Sequence, residues 1–124
     1  MRAKLFAIGA SIGSALAGTG AMAHPKLTSS VPAANGMERA ATPTKEIRLN
    51  FSEGLVAKLS GLELRDESGK PIATGAPTID PKDKKQLVVP LGEPLAAGRY
   101  RVIWNAVSED THRIKGEYTF TIGN

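Results

Sequence analysis

Glycine and proline punctuate this sequence so often that a long helix has nowhere to form. From residue 25 onward they include Pro25, Pro32, Gly36, Pro43, Gly54, Gly61, Gly69, Pro71, Gly75, Pro77, Pro81, Pro90, Gly92, Pro94, Gly98 and Gly116. Proline removes a backbone donor, and glycine weakens a helix interior. Between these breakers lie short runs of alternating polarity, the period of half-buried strands. They are Lys26–Val31, Glu46–Phe51, Gly61–Asp66, Lys70–Thr74, Gln86–Pro90, Gly98–Val107 and Lys115–Ile122. In the strongest run Tyr100, Val102, Trp104 and Ala106 share one face. In the last, Tyr118, Phe120 and Ile122 do so. About seven such strands predict an all-β domain, a two-sheet Greek-key sandwich or flattened barrel. Pro90 should end its strand or mark an edge. Gly54–Ser60 is expected to hold a helical turn.

The first 23 residues read differently. Arg2 and Lys4 precede an apolar run from Leu5 to Ala17, and Ala21-Met22-Ala23 is an Ala-x-Ala cleavage site. That order is a secretory signal peptide. The run is broken by Gly9, Gly13 and Ser14 and is short of the ~20 apolar residues a membrane span needs. The expected division is residues 1–23 as signal and 24–124 as one exported domain, periplasmic in a bacterium. Cleavage after Ala15-Leu16-Ala17 is the alternative, and it leaves His24 internal.

Two of the 16 Lys and Arg lie in the leader and none of the 12 Asp and Glu does, so the chain's +4 falls by two on processing. The remaining basic residues are scattered. Lys82, Lys84 and Lys85 alternate with Asp80 and Asp83, which reads as a solvated turn. No nucleic-acid partner is expected. There is no cysteine, which excludes disulfides, thiolate metal sites, a cysteine nucleophile and a lipoprotein anchor.

Cleavage after Ala23 would make His24 the first residue of the processed protein. Its α-amine and imidazole Nδ1 can chelate one ion together. Pro25 has no N–H, so the first peptide bond cannot supply a third nitrogen. The only other histidine is His112, in Ser108-Glu109-Asp110-Thr111-His112. Residues two apart point the same way in extended backbone, so Asp110 and His112 can converge. Folding is expected to bring His24, Asp110 and His112 together around one ion. Amine, imidazole and carboxylate donors in a tetragonal array suit Cu(II). Trp104 reads as core, Met37 as a loop or core-edge residue, and Arg113 as an exposed cation.

Several stretches carry a family resemblance. They are Ala23-His24-Pro25-Lys26-Leu27 with Ser29-Ser30 and Pro32-Ala33, then Leu49-Asn50-Phe51-Ser52-Glu53, then Leu95 to Trp104. Val107-Ser108-Glu109-Asp110-Thr111-His112 and Gly116 to Ile122 complete the set. In this order they resemble the CopC family of periplasmic copper-binding proteins. The resemblance implies a cupredoxin-like or immunoglobulin-like Greek-key β fold. It implies one Cu(II) per chain, held by the amine and ring of His24, by Asp110 and by His112. It places Glu53 beside the ligands as an orienting carboxylate. It implies a carrier, not an enzyme, that sequesters copper or passes it to a CopD-type inner-membrane protein; a monomer is expected. Some members hold Cu(I) through a methionine-rich loop. Here only Met37 lies beyond Met22, so no Cu(I) methionine site is expected.

Two rival readings have their own signatures. A histidine-brace copper oxidase or monooxygenase would use the same N-terminal chelate, but this chain has few loops with which to build a substrate face. A metal-free sandwich serving adhesion or assembly would tolerate loss of His24, Asp110 and His112.

Overall fold

A computed structural model describes residues 25–124. The expected signal peptide, its cleavage site and His24 lie outside the described residues. Nine strands are found among those described: β1 Leu27–Val31, β2 Met37–Arg39, β3 Glu46–Phe51, β4 Gly61–Asp66, β5 Pro71–Ile72, β6 Thr78–Asp80, β7 Asp83–Pro90, β8 Gly98–Val107 and β9 Arg113–Gly123. They form two sheets, ordered β1-β3-β7-β6 and β2-β9-β8-β4-β5. The sheets face each other as a sandwich and do not close into a barrel. A single 3-10 turn at Ala57–Leu59 occupies the segment expected to hold a helical turn. No helix among the described residues is long and apolar enough to cross a membrane.

The alternating runs define the core. Ile47, Leu49 and Phe51 of β3 face Val102, Trp104 and Ala106 of β8 and Tyr118, Phe120 and Ile122 of β9, all buried. The Phe51 and Trp104 rings meet edge to face with centroids 5.3 Å apart, and Tyr100 stacks on Phe120 at 5.6 Å. Such pairs add to simple area burial. The Tyr100 hydroxyl donates to the Ala96 carbonyl at 2.6 Å, a bond back to the preceding corner of the kind that fixes sandwich crossovers.

The strand count exceeds the expected seven because two strands carry no apolar alternation. β2 is three residues long and lies parallel to the end of β9, with Met37 opposite Thr121. Backbone bonds hold its flanks: Asn35 N–H to Thr119 O at 2.7 Å and Ala40 N–H to Gly123 O at 2.8 Å. β6 pairs with β7 and has one apolar residue, Ile79. The charged stretch around Lys82 is only partly a turn. It is solvated as expected, but Asp83, Lys84 and Lys85 already belong to β7. Pro90 ends that strand. On the outer face of the smaller sheet, Arg48 bonds Glu46, Gln86 and, at 2.9 Å, Asp80, linking β3, β7 and β6.

Gly116 lies opposite Trp104 in the β8–β9 ladder. A Cβ there would come within 2.6 Å of the indole Cζ2. The missing side chain makes room for the ring. Replacing Gly116 with Ala should therefore destabilise the domain by about 1–3 kcal/mol through overpacking. The denaturation midpoint should fall and the Trp104 emission should change. An unchanged midpoint would show that the indole relaxes freely.

Candidate metal centre

The β8–β9 hairpin ends in a tight turn. Thr111 N–H donates to Ser108 O at 2.8 Å, and Ser108 N–H donates to His112 O at 2.9 Å. Thr111 sits at φ 72°, a left-handed conformation uncommon for a β-branched residue. The backbone between Asp110 and His112 is therefore turned, not extended. Convergence of the two side chains comes from the turn and not from strand alternation.

They do converge. His112 Nδ1 lies 3.0 Å from Asp110 Oδ1. Two donors each about 2.0 Å from one ion, at about 90°, lie about 2.8 Å apart. At 3.0 Å the contact is a ring-to-carboxylate hydrogen bond. It is close to the spacing of adjacent donors on a first-row ion, so an ion could take the place of the shared proton. Asp110 also accepts a hydrogen bond from the Ser108 hydroxyl. That bond first, and the His112 ring second, hold its carboxyl below the usual carboxylate range. The group is exposed and stays anionic to lower pH than an ordinary aspartate.

A strap joins this turn to the rest of the sandwich. Residues 52–56 leave β3 and cross toward β8. Leu55 bridges to Ser108, its N–H donates to Lys84 O at 3.0 Å in β7, and Val56 N–H donates to Val107 O at 2.9 Å. Gly54 O accepts the Glu109 N–H at 2.9 Å. A Cβ on Gly54 would meet Glu109 Oε1, the tip of an exposed and flexible side chain that can move aside. The Glu109 carboxylate also reaches Lys84 Nζ at 3.6 Å, an exposed pair of small energetic value.

The described start of the chain is tied to the same strap. Lys26 N–H donates to Ser52 Oγ at 3.0 Å, and Ser52 N–H donates to Lys26 O at 2.9 Å. Pro25 is buried. Glu53 lies between the residue that anchors the chain start and the one that bonds the Asp110 turn. Its neighbour Ser52 bonds Lys26 and its neighbour Gly54 accepts the Glu109 N–H, and Glu53 itself is half-buried. Its carboxylate does not join Asp110 and His112 in a group of three.

Among the described residues no three His, Asp or Glu side chains gather into a metal-holding group. Of the expected ligands, the described structure brings together only Asp110 and His112. Ser108, which bonds both Asp110 and His112, is the neighbour of this pair that sequence reasoning misses. Its signal is local: a hydroxyl residue two positions before an Asp, the sequence of a hydrogen-bonded turn.

The chain matches the CopC domain over residues 27–123. It is 46% identical over 108 residues to copper resistance protein C of Escherichia coli, covering 82% of this chain and 83% of that protein. A protein of the same name from Pseudomonas syringae pv. tomato is also 46% identical, over 107 residues, covering 82% of each. Among solved structures, PcoC, a methionine rich copper resistance protein from Escherichia coli, superposes with a TM-score of 0.71 at 45% identity, covering 81% of this chain and 99% of that one. CopC from Methylosinus trichosporium OB3b gives 0.73 at 26% identity, covering 81% and 94%. Sequence and architecture agree across both sheets, and the chain belongs to the CopC family of copper resistance proteins.

Proposed function

We propose that this protein is a periplasmic Cu(II) carrier, exported by cleavage after Ala23, that binds one Cu(II) through the His24 amine and ring, Asp110 and His112. The observation that carries the reading is the Asp110–His112 pair, held 3.0 Å apart at the end of the sandwich where the chain start is anchored. Two donors make a weak site, and the sequence has one further histidine, directly before the buried Pro25. The donor chemistry fits Cu(II): nitrogen and carboxylate, no thiolate and no methionine pair. With these donors filled, no position is left open for substrate, unlike a catalytic metal site, and the function is binding and transfer. Glu53 would steady the bound amine from the strap. The processed domain spans 24–124 and acts as a monomer that sequesters copper or hands it to a CopD-type membrane protein.

The test compares protein beginning at His24 with protein carrying one extra residue ahead of it. Cu(II) should bind the first at one equivalent and the second at least about tenfold more weakly, since a chelating amine is lost. Equal affinity would remove the amine from the site. No binding by either would leave a metal-free sandwich module. Acid should also release the ion. Imidazole and amine donors bind only after losing protons. Affinity measured by chelator competition should therefore fall between about pH 7 and about pH 5. Asp110, already held below the usual range, stays ionised there and does not cause the loss. Affinity independent of pH over that window would contradict a histidine-based site.

A further inference from the structure

Ser108 occupies an unusual place for a hydroxyl. It is fully buried, at 0% exposure, just past the end of β8, yet both residues it bonds lie at the surface turn. A serine hydroxyl has one proton to give and two lone pairs to offer. Here the proton goes to Asp110 Oδ1. A lone pair takes the His112 N–H at 3.2 Å. The Ser108 backbone is pinned as well: its N–H bonds His112 O, its O accepts the Thr111 N–H, and Leu55 bridges to it. One immobile atom, Ser108 Oγ, therefore touches both members of the donor pair from beneath.

Asp110 is exposed and would otherwise sample several side-chain rotamers. Binding would then include the entropy of fixing it. The hydroxyl selects one carboxylate oxygen and one orientation before any ion arrives. The His112 N–H bond does the same for the backbone that carries the ring. The left-handed Thr111 between them is the kind of costly conformation that persists where its surroundings over-determine it.

We propose that Ser108 is the positioning residue of the metal site, its buried hydroxyl holding Asp110 and His112 in binding geometry before the ion binds. The inference rests on the reading of those two residues as copper donors. Ser108 touches the donors and not the ion. Removing such an outer partner typically weakens metal affinity by about 10–100-fold.

The experiment compares Ser108→Thr with Ser108→Val. The two introduced side chains have the same shape and differ in the hydroxyl, so packing effects cancel between them. Cu(II) affinity is read by chelator competition, and the copper hyperfine pattern by EPR, in wild type and both variants. The expected result is that the Ser108→Thr variant stays within about threefold of wild type, while the Ser108→Val variant binds at least about tenfold more weakly with an altered hyperfine pattern. If the two variants bind alike, the hydroxyl has no positioning role and the inference is overturned, while the copper reading stands. If wild type itself binds no Cu(II), the reading falls and the inference with it. Should the branched residues prevent folding, Ser108→Ala adds no atoms. Weakening by at least about tenfold with an altered spectrum then supports the role, and affinity within about twofold of wild type with the same spectrum overturns it.

Discussion

The antiparallel ladder between β8 and β9 runs without a break from Gly98 opposite Ile122 to Val107 opposite Arg113. The turn that carries Asp110 and His112 joins its Val107–Arg113 end. A regular ladder of this length leaves little freedom in where its connecting turn projects, because each residue pair fixes the register of the next. The inner faces of both strands are locked by the core, with Trp104 seated over Gly116 and Tyr100 stacked on Phe120. A slip of one residue would turn the whole apolar face outward, so the turn at 108–112 inherits the rigidity of the core. A surface turn can then hold a carboxylate and an imidazole 3.0 Å apart.

The second requirement is that the two sheets meet at that end. The 52–56 strap does this with backbone bonds to β7, to β8 and to the turn itself. It also receives the start of the described chain through the paired Lys26–Ser52 bonds. Three distant parts of the sequence are thereby drawn to one end of the sandwich, chiefly by main-chain hydrogen bonds. Those bonds do not depend on the charges of the site. Loading or releasing an ion can proceed on a scaffold that is already assembled, which suits a carrier. PcoC is described as methionine rich, whereas the described part of this chain has a single methionine, Met37, 70% exposed on the edge strand β2.

The parts of the fold legible in the sequence are those where burial writes a period into the residues. β3, β4 and β8 begin and end where alternation begins and ends, and their buried residues are inward ones. β2 and β6 leave no such trace, because three-residue strands are held by backbone bonding to a neighbour and not by a face of their own. The site is legible in a similar, partial way. Asp110 and His112 stand out by residue type, but strand alternation is the wrong local geometry for them. A turn with left-handed Thr111 brings them together instead. Ser108 leaves only a local trace, a hydroxyl residue two positions before an Asp; that the same hydroxyl also meets the His112 N–H is a relation that only the folded turn creates. Glu53 enters by resemblance alone; the strap's bonds are made by its neighbours Ser52 and Gly54.

Pulsed EPR of the Cu(II)-loaded processed protein, with nitrogen-15 placed only in the histidine rings, counts the donors most directly. Two directly coordinated nitrogen-15 couplings, from His24 and His112, should appear with one nitrogen-14 coupling from the terminal amine. A single ring coupling with no amine nitrogen would contradict a site in which the chain start and the β8–β9 turn hold the same ion.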